Sequence, residues 1–193
     1  MELNNIKTIL MASDMNWKVL STEYLSGHPY FTARKDKCET PEGKIVEEYF
    51  VVELPATVCA VAITENDEVL MIRQYRHPLK KAILEIPGGF VDEGETPEVA
   101  IQRELKEETG YEFSSIVPVG RVSANPGVLE DYTYLFLAQG GKKTGEQTLD
   151  KNEELELEKI SVEKLKALFL ENKIVQALHT CCIYYALKAM DKL

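Results

Sequence analysis

No run of apolar residues in this 193-residue chain approaches the roughly 20 that carry a helix across a bilayer. Residues 1–15 carry no targeting pattern, so the chain reads as cytoplasmic with no membrane partner. Cysteine is scarce. Cys38, Cys59, Cys181 and Cys182 lack zinc spacing, and the adjacent pair does not easily share one tetrahedral site. They are expected to be reduced thiols. Histidine is scarcer still. His28, His77 and His179 have no partners at catalytic spacing and receive no role. Positive charge is also short, with 22 Lys and Arg against 32 Asp and Glu, a net charge of −10. That balance disfavours nucleic acid as a partner. An anionic small substrate stays compatible, because a bound cation inverts the local field. There is no internal repeat and no low-complexity segment.

What remains is an ordinary globular balance, 45% hydrophobic and 28% charged, in a chain long enough to bury a core. Ile6, Ile9 and Leu10 suit one helical turn or a loose terminus. Strands are expected over Trp17–Tyr24, Tyr30–Lys37 and Ile45–Leu54. Turns are expected at Leu25–Pro29 and Pro41–Lys44. Trp17 and Val19 would face apolar surface. Pro55 opens a larger part, so the division is 1–54 and 55–193. In it, Thr57–Thr64 reads as a buried strand, Asn66–Asp67 as a hairpin turn and Val69–Tyr75 as the return. A short strand spans Ala82–Pro87. Later strands are expected around Ile116–Val119 and over Tyr132–Gln139, with Gly140–Gln147 polar and flexible. Ser161 caps a helix over Val162–Leu170. A last helix covers Val175–Met190, apolar along Leu178, Cys182, Tyr185 and Ala189.

The chemistry concentrates in Gly88-Gly89-Phe90-Val91-Asp92-Glu93-Gly94-Glu95 and the helix behind it. Thr96 is an N-cap, Pro97 a first helical residue and Gly110 a left-handed stop. Ala100, Glu104 and Glu108 form one stripe, with Glu107 on the same face. Ile101 and Leu105 form the neighbouring apolar stripe that docks the helix. Carboxylates so crowded repel one another, and oxygen ligands on a rigid element suit a hard divalent cation.

Gly89-x5-Glu95-x7-Arg103-Glu104-Leu105-x-Glu107-Glu108-x-Gly110-Tyr111 resembles the Nudix box, with Tyr111 where an aliphatic residue is commoner. Arg73-Gln74-Tyr75-Arg76 before Glu85-Ile86-Pro87-Gly88 resembles the ADP-ribose pyrophosphatase branch. So does Pro126, sixteen residues past Gly110. The resemblance implies an α+β fold. The expected form is a Nudix-type α/β/α sandwich with a mixed sheet, plus a small N-terminal antiparallel sheet. In that branch the small sheet builds the homodimer and part of the nucleoside site.

The resemblance further implies magnesium or manganese as cofactor. Glu104 and Glu108 would be the principal ligands, with Glu107 and the Gly88 carbonyl contributing. Arg103 and Glu95 would support the carboxylates, and Gly89 the loop. Arg76 is the candidate diphosphate contact, because a guanidinium grips two phosphoryl oxygens at once. Its bland alternative is a structural pair with Glu85. Pro126, Glu130 and Trp17 are further substrate candidates, against an ordinary loop proline and buried sheet aromatics. The general base falls to Glu153, then Glu154, in an acidic loop, against a solvated charge run. Glu107 is the other catalytic candidate. The implied reaction is hydrolysis of ADP-ribose to AMP and ribose 5-phosphate. The alternatives are a nucleotide-sugar hydrolase, for example on GDP-mannose, and a non-catalytic ADP-ribose-binding domain.

Overall fold

The computed structural model describes residues 15–149, 151 and 153–193. The expected turn at Ile6–Leu10, and Asp150 and Asn152 of the acidic loop, lie outside them. The chain divides into two compact units. One comprises residues 1–54 with Gly127–Glu130, and the other Pro55–Pro126 with Asp131–Leu193.

The smaller unit is a sheet in the order β1-β2-β3-β10, from β1 (Lys18–His28), β2 (Phe31–Glu39), β3 (Ile45–Glu53) and β10 (Leu129–Glu130). The first three strands are antiparallel, and β10 runs parallel to β3. The expected turn at Leu25–Pro29 is corrected. Strand β1 continues to His28, its register slipping between Val19 and Ser21 and between Tyr24 and Ser26. Gly27 is absorbed as strand, and only Pro29–Tyr30 turns. Trp17 and Val19 do not face apolar surface. Val19, Tyr24, Tyr30, Phe31 and Phe50 are each more than half exposed, Trp17 is nearly so, and Cys38 is the one buried apolar side chain among the unit's described residues.

The larger unit is built on an eight-stranded mixed sheet. Its spine is β12 (Leu155–Ser161), β5 (Glu68–Arg76), β4 (Thr57–Thr64), β11 (Thr133–Lys143) and β8 (Tyr111–Glu112). Strand β6 (Lys81–Glu85) pairs with β5, β7 (Gly88–Phe90) with β4, and β9 (Ser115–Val122) with β11. Strands β4 and β11 run parallel, from Thr57↔Thr133 to Gly141↔Thr64. Strand alternation sorts the core into two layers. Val58, Ala60, Ala62, Phe136 and Ala138 face α1 (Pro97–Thr109) through Ala100, Ile101 and Leu105. Cys59, Val61, Ile63, Leu135 and Leu137 face α2 (Val162–Leu170) and α3 (Ala177–Ala189). Helices on both faces of a sheet give the expected α/β/α sandwich.

Two expectations fail here. Residues 140–147 do not form a free loop. Strand β11 extends to Lys143, pairing Lys142 with Glu112, and the Thr144 and Gly145 N–H groups donate to the Gly110 carbonyl. The Gln147 amide donates to the Glu108 carbonyl at 2.7 Å, so this segment ties down the end of α1. Helix α3 buries His179, Cys182, Ile183, Ala186 and Leu187, while Tyr185 and Ala189 face outward. Apolar residues lie all round this helix, so the sheet it meets selects the stripe.

Candidate active site

Helix α1 begins where Thr96 accepts the Val99 N–H and ends at Gly110, whose φ of 74° stops it. Docked by Ile101 and Leu105, it turns Glu104 and Glu108 inward, to 9% and 3% exposure, and leaves Glu107 half-exposed. Burial pushes the Glu104 carboxyl above its ordinary range. The Arg103 guanidinium opposes the shift, and the charges of Glu107 and Glu153 add to it. Burial raises Glu108 further. The Gly88 N–H opposes that rise, and Glu104 and Glu153 reinforce it. Two desolvated, mutually repelling carboxyls with an oxygen-only donor set fit a hard divalent cation. Glu104 Oε1 accepts from Arg103 at 2.8 Å, and Glu108 Oε2 from the Gly88 N–H at 2.8 Å. Each carboxyl keeps a second oxygen. Among the described residues no three acidic, histidine or cysteine side chains converge as a ready cage. A cation here would draw on backbone carbonyls or water, as magnesium commonly does.

Arg103 spends all its donors on this site. It holds both oxygens of Glu95, at 3.1 and 3.0 Å, then Glu104 at 2.8 Å, Glu107 at 3.1 Å and the Phe90 carbonyl at 2.9 Å. Arg103 thereby holds the Glu95 carboxyl below its usual range. The loop comes close because it lacks side chains at two points. A Cβ on Gly89 would strike the Glu104 carboxylate, and one on Gly88 the Val58 carbonyl in β4. The two glycines should therefore fail differently. Gly89→Ala meets the movable end of a side chain and is expected to lose activity while melting near wild type. Gly88→Ala meets backbone and is expected to lose about 2 kcal/mol or more of stability. Melting curves and turnover for both variants test this; a stable Gly88→Ala would contradict it.

Arg76, at the end of β5, donates through Nε to Glu85 Oε2 at 2.9 Å. Glu85 is 1% exposed. Burial raises its carboxyl, and Arg76 pulls the other way. Its second oxygen lies 4.0 Å from His179 Nδ1, a buried atom with no hydrogen-bond partner among the described residues. Burial, and then the Arg76 charge, push His179 down to about 3. Above its ordinary value near 6.5, His179 is neutral in both folded and unfolded chains and contributes nothing. As pH falls below that, the unfolded chain takes a proton the folded one refuses. Stability then drops by about 1.4 kcal/mol per pH unit until the folded value is reached. His179→Leu is expected to flatten the acid limb between about pH 6 and pH 4 by that slope, read by urea unfolding. A wild-type slope in the variant would contradict the burial argument.

The larger unit thus brings Glu95, Arg103, Glu104, Glu107, Glu108, Gly88 and Gly89 together. The Glu153 and Arg76 charges reach Glu108. Glu153 and Glu154 are exposed, and Pro126 sits on an exposed loop of the same unit. Glu130 belongs to the smaller unit, ion-paired to Arg34. Trp17, also there, stands edge-on to Tyr49 at 5.9 Å. Glu85 as a buried carboxylate and His179 as its neighbour are what sequence reasoning missed. The Glu85–Arg76 pair was legible as an alternative, but nothing in the sequence showed α3 turning His179 inward.

The NUDIX domain family matches residues 53–180. The chain belongs to the Nudix family. Residues 17–52 match the nucleoside diphosphate sugar hydrolase N-terminal domain. The chain is 31% identical to the methanol dehydrogenase activator of Bacillus methanolicus, covering 87% of this chain and 91% of that one. It is 28% identical to the ADP-ribose pyrophosphatase of Bacillus subtilis over the same shares. It is 31% identical to the ADP-ribose pyrophosphatase of Mycobacterium tuberculosis, over 69% of this chain and 64% of that one. The crystal structure of an ADP compounds hydrolase superposes with a TM-score of 0.79 at 20% identity, over 94% of this chain and 100% of that one. That likeness shows the fold of this Nudix hydrolase. No helix among its described residues is long and apolar enough to cross a membrane.

Proposed function

We propose that this Nudix hydrolase cleaves the pyrophosphate bond of ADP-ribose, giving AMP and ribose 5-phosphate. The observation that carries the reading is the buried Glu104–Glu108 pair behind Gly88, with Arg76 charged and half-exposed nearby. Glu104 and Glu108 would hold magnesium or manganese, with Glu107 and the Gly88 carbonyl completing the oxygen set. When bound, such a cation neutralises diphosphate oxygens and acidifies a water. Arg76 binds the diphosphate. Its Nε is committed to Glu85, and its two terminal amino groups would grip the diphosphate as a fork. Arg103 and Glu95 keep the carboxylates in place. Glu153 takes the proton from the attacking water, because its charge already reaches both Glu104 and Glu108. Glu154 is the second choice. By the resemblance alone, Pro126, Glu130 and Trp17 are the proposed nucleoside contacts.

The smaller unit, residues 1–54 in the sequence division, is assigned to dimerisation. Its sheet leaves Val19, Tyr24, Tyr30, Phe31 and Phe50 uncovered, more apolar surface than so small a unit hides for itself. A second copy of the chain is the proposed cover, checked by light scattering. A nucleotide-sugar substrate is the second reading, favoured by the match of residues 17–52 to the N-terminal domain of nucleoside diphosphate sugar hydrolases. Magnesium-supported turnover of ADP-ribose, GDP-mannose, UDP-glucose and NADH decides between them. A kcat/KM highest for ADP-ribose is expected. Preference for GDP-mannose would hand the site to the second reading, and binding without turnover of any would make it a sensor.

A further inference from the structure

Helix α3 puts one polar side chain on its buried face, His179, among Cys182, Ile183, Ala186 and Leu187. Burying an imidazole nitrogen without a partner is unfavourable. A leucine there would avoid that cost, so stability does not explain the residue. Its Nδ1 points at Glu85, 4.0 Å from Oε1, about 1 Å beyond a hydrogen bond. The other oxygen of the same carboxylate holds Arg76 Nε at 2.9 Å. Three groups from three elements therefore stand in a row, running from α3 through β6 to β5, with the carboxylate in the middle. The outer end of the row is half-exposed, Arg76 at 42%, while Glu85 and His179 are shut in at 1% and 10% of their side-chain surface.

We propose that His179 is a positioning residue for Arg76. Facing Glu85 Oε1 at 4.0 Å, too far for a direct hydrogen bond, its Nδ1–H dipole favours the carboxylate orientation in which Glu85 holds Arg76 by Nε alone and leaves both terminal amino groups to a diphosphate. The inference rests on the reading of Arg76 as the diphosphate contact. The chemistry requires a neutral donor. A second cation beside Glu85 would compete with Arg76 for it, and an acceptor would repel it. His179 stays neutral at physiological pH, which suits the Nδ1–H tautomer. Without that donor the buried carboxylate swings to chelate the guanidinium through its terminal amino groups, and the fork is lost to the substrate.

The test uses five full-length proteins: wild type, Arg76→Ala, His179→Leu, His179→Asn and the double variant Arg76→Ala/His179→Leu. Binding of inorganic pyrophosphate with magnesium is measured by calorimetry, beside KM and kcat for ADP-ribose and GDP-mannose. His179→Leu is expected to weaken pyrophosphate binding and raise KM roughly five- to tenfold, with kcat within twofold. His179→Asn, whose amide N–H mimics Nδ1–H, is expected to restore most of the loss. In the Arg76→Ala background the leucine should cost nothing further. Equal losses in both backgrounds, or no loss in His179→Leu, would overturn the inference. So would failure of asparagine to rescue a folded protein. If Arg76→Ala binds pyrophosphate as wild type does, the Arg76 assignment and this inference fall together. If the binding pattern holds but neither nucleotide is hydrolysed, the proposed function fails and the inference stands.

Discussion

Replacing Glu108 with glutamine is expected to cut turnover by about three orders of magnitude and to leave the protein folded. The substitution changes charge and almost nothing else. The Glu108 Oε2 atom accepts the Gly88 N–H at 2.8 Å, and a glutamine carbonyl oxygen can take over that bond. Because Glu108 is 3% exposed and repelled by Glu104 and Glu153, neutralising it removes a desolvation cost, and the melting temperature should hold or rise. On the proposed function, what is lost is an anionic ligand. The charge stabilisation a bound cation brings to phosphoryl transfer is several kcal/mol, and about 4 kcal/mol corresponds to a thousandfold in rate. The same variant tests the cation directly. Wild type should melt higher in saturating magnesium or manganese, by about 2.7 kcal/mol at a hundredfold excess over Kd, and Glu108→Gln should lose most of that gain. Aggregation of the variant, or a rate within a few fold of wild type, would count against the metal role.

The part of the site just described was legible in the sequence because its signals are local. Thr96, Pro97 and Gly110 mark the ends of α1 by backbone chemistry that no distant contact overrides. The spacing of Glu104, Glu107 and Glu108 fixes their shared face as soon as the helix is granted. Legibility stops where pairing partners decide. Strands β7, β8 and β10 have two or three residues and no pattern of their own; only β4, β11 and β3 beside them make them strands. Gly140 and Gly141 read as flexible, yet β11 runs through them, because Gly141 has Thr64 as its partner on β4. Helix α3 carries too many apolar residues for periodicity to choose a face. A shift of one position, from Leu178 to His179, is the difference between a histidine in solvent and one facing Glu85. In the smaller unit, Gly27 signals a turn that two register shifts in β1 make unnecessary.

Arg103→Met should be the most damaging single change to stability around α1. Methionine keeps the aliphatic stem and removes the guanidinium, whose N–H groups answer Glu95, Glu104, Glu107 and the Phe90 carbonyl. The Glu95 and Glu104 side chains are each 12% exposed, so neither can recover its lost partner from bulk water. Breaking such a set by removing one member costs about 3 kcal/mol, because unpaired charge stays behind. At this chain length that is roughly 6–12 °C in Tm. The sign of the pH dependence follows from Glu95, which Arg103 holds below its usual range. A carboxyl lowered in the fold stabilises above its unfolded value, and that contribution fades as pH falls through its folded value. The gap between wild type and Arg103→Met should therefore be widest near neutrality and shrink below about pH 4, as the stranded carboxyls protonate. Arg103→Lys should recover only part of it, since one ammonium group cannot reach three carboxylates and a carbonyl at once. Equal melting temperatures for wild type and Arg103→Met at pH 7 would mean that the guanidinium network merely decorates α1.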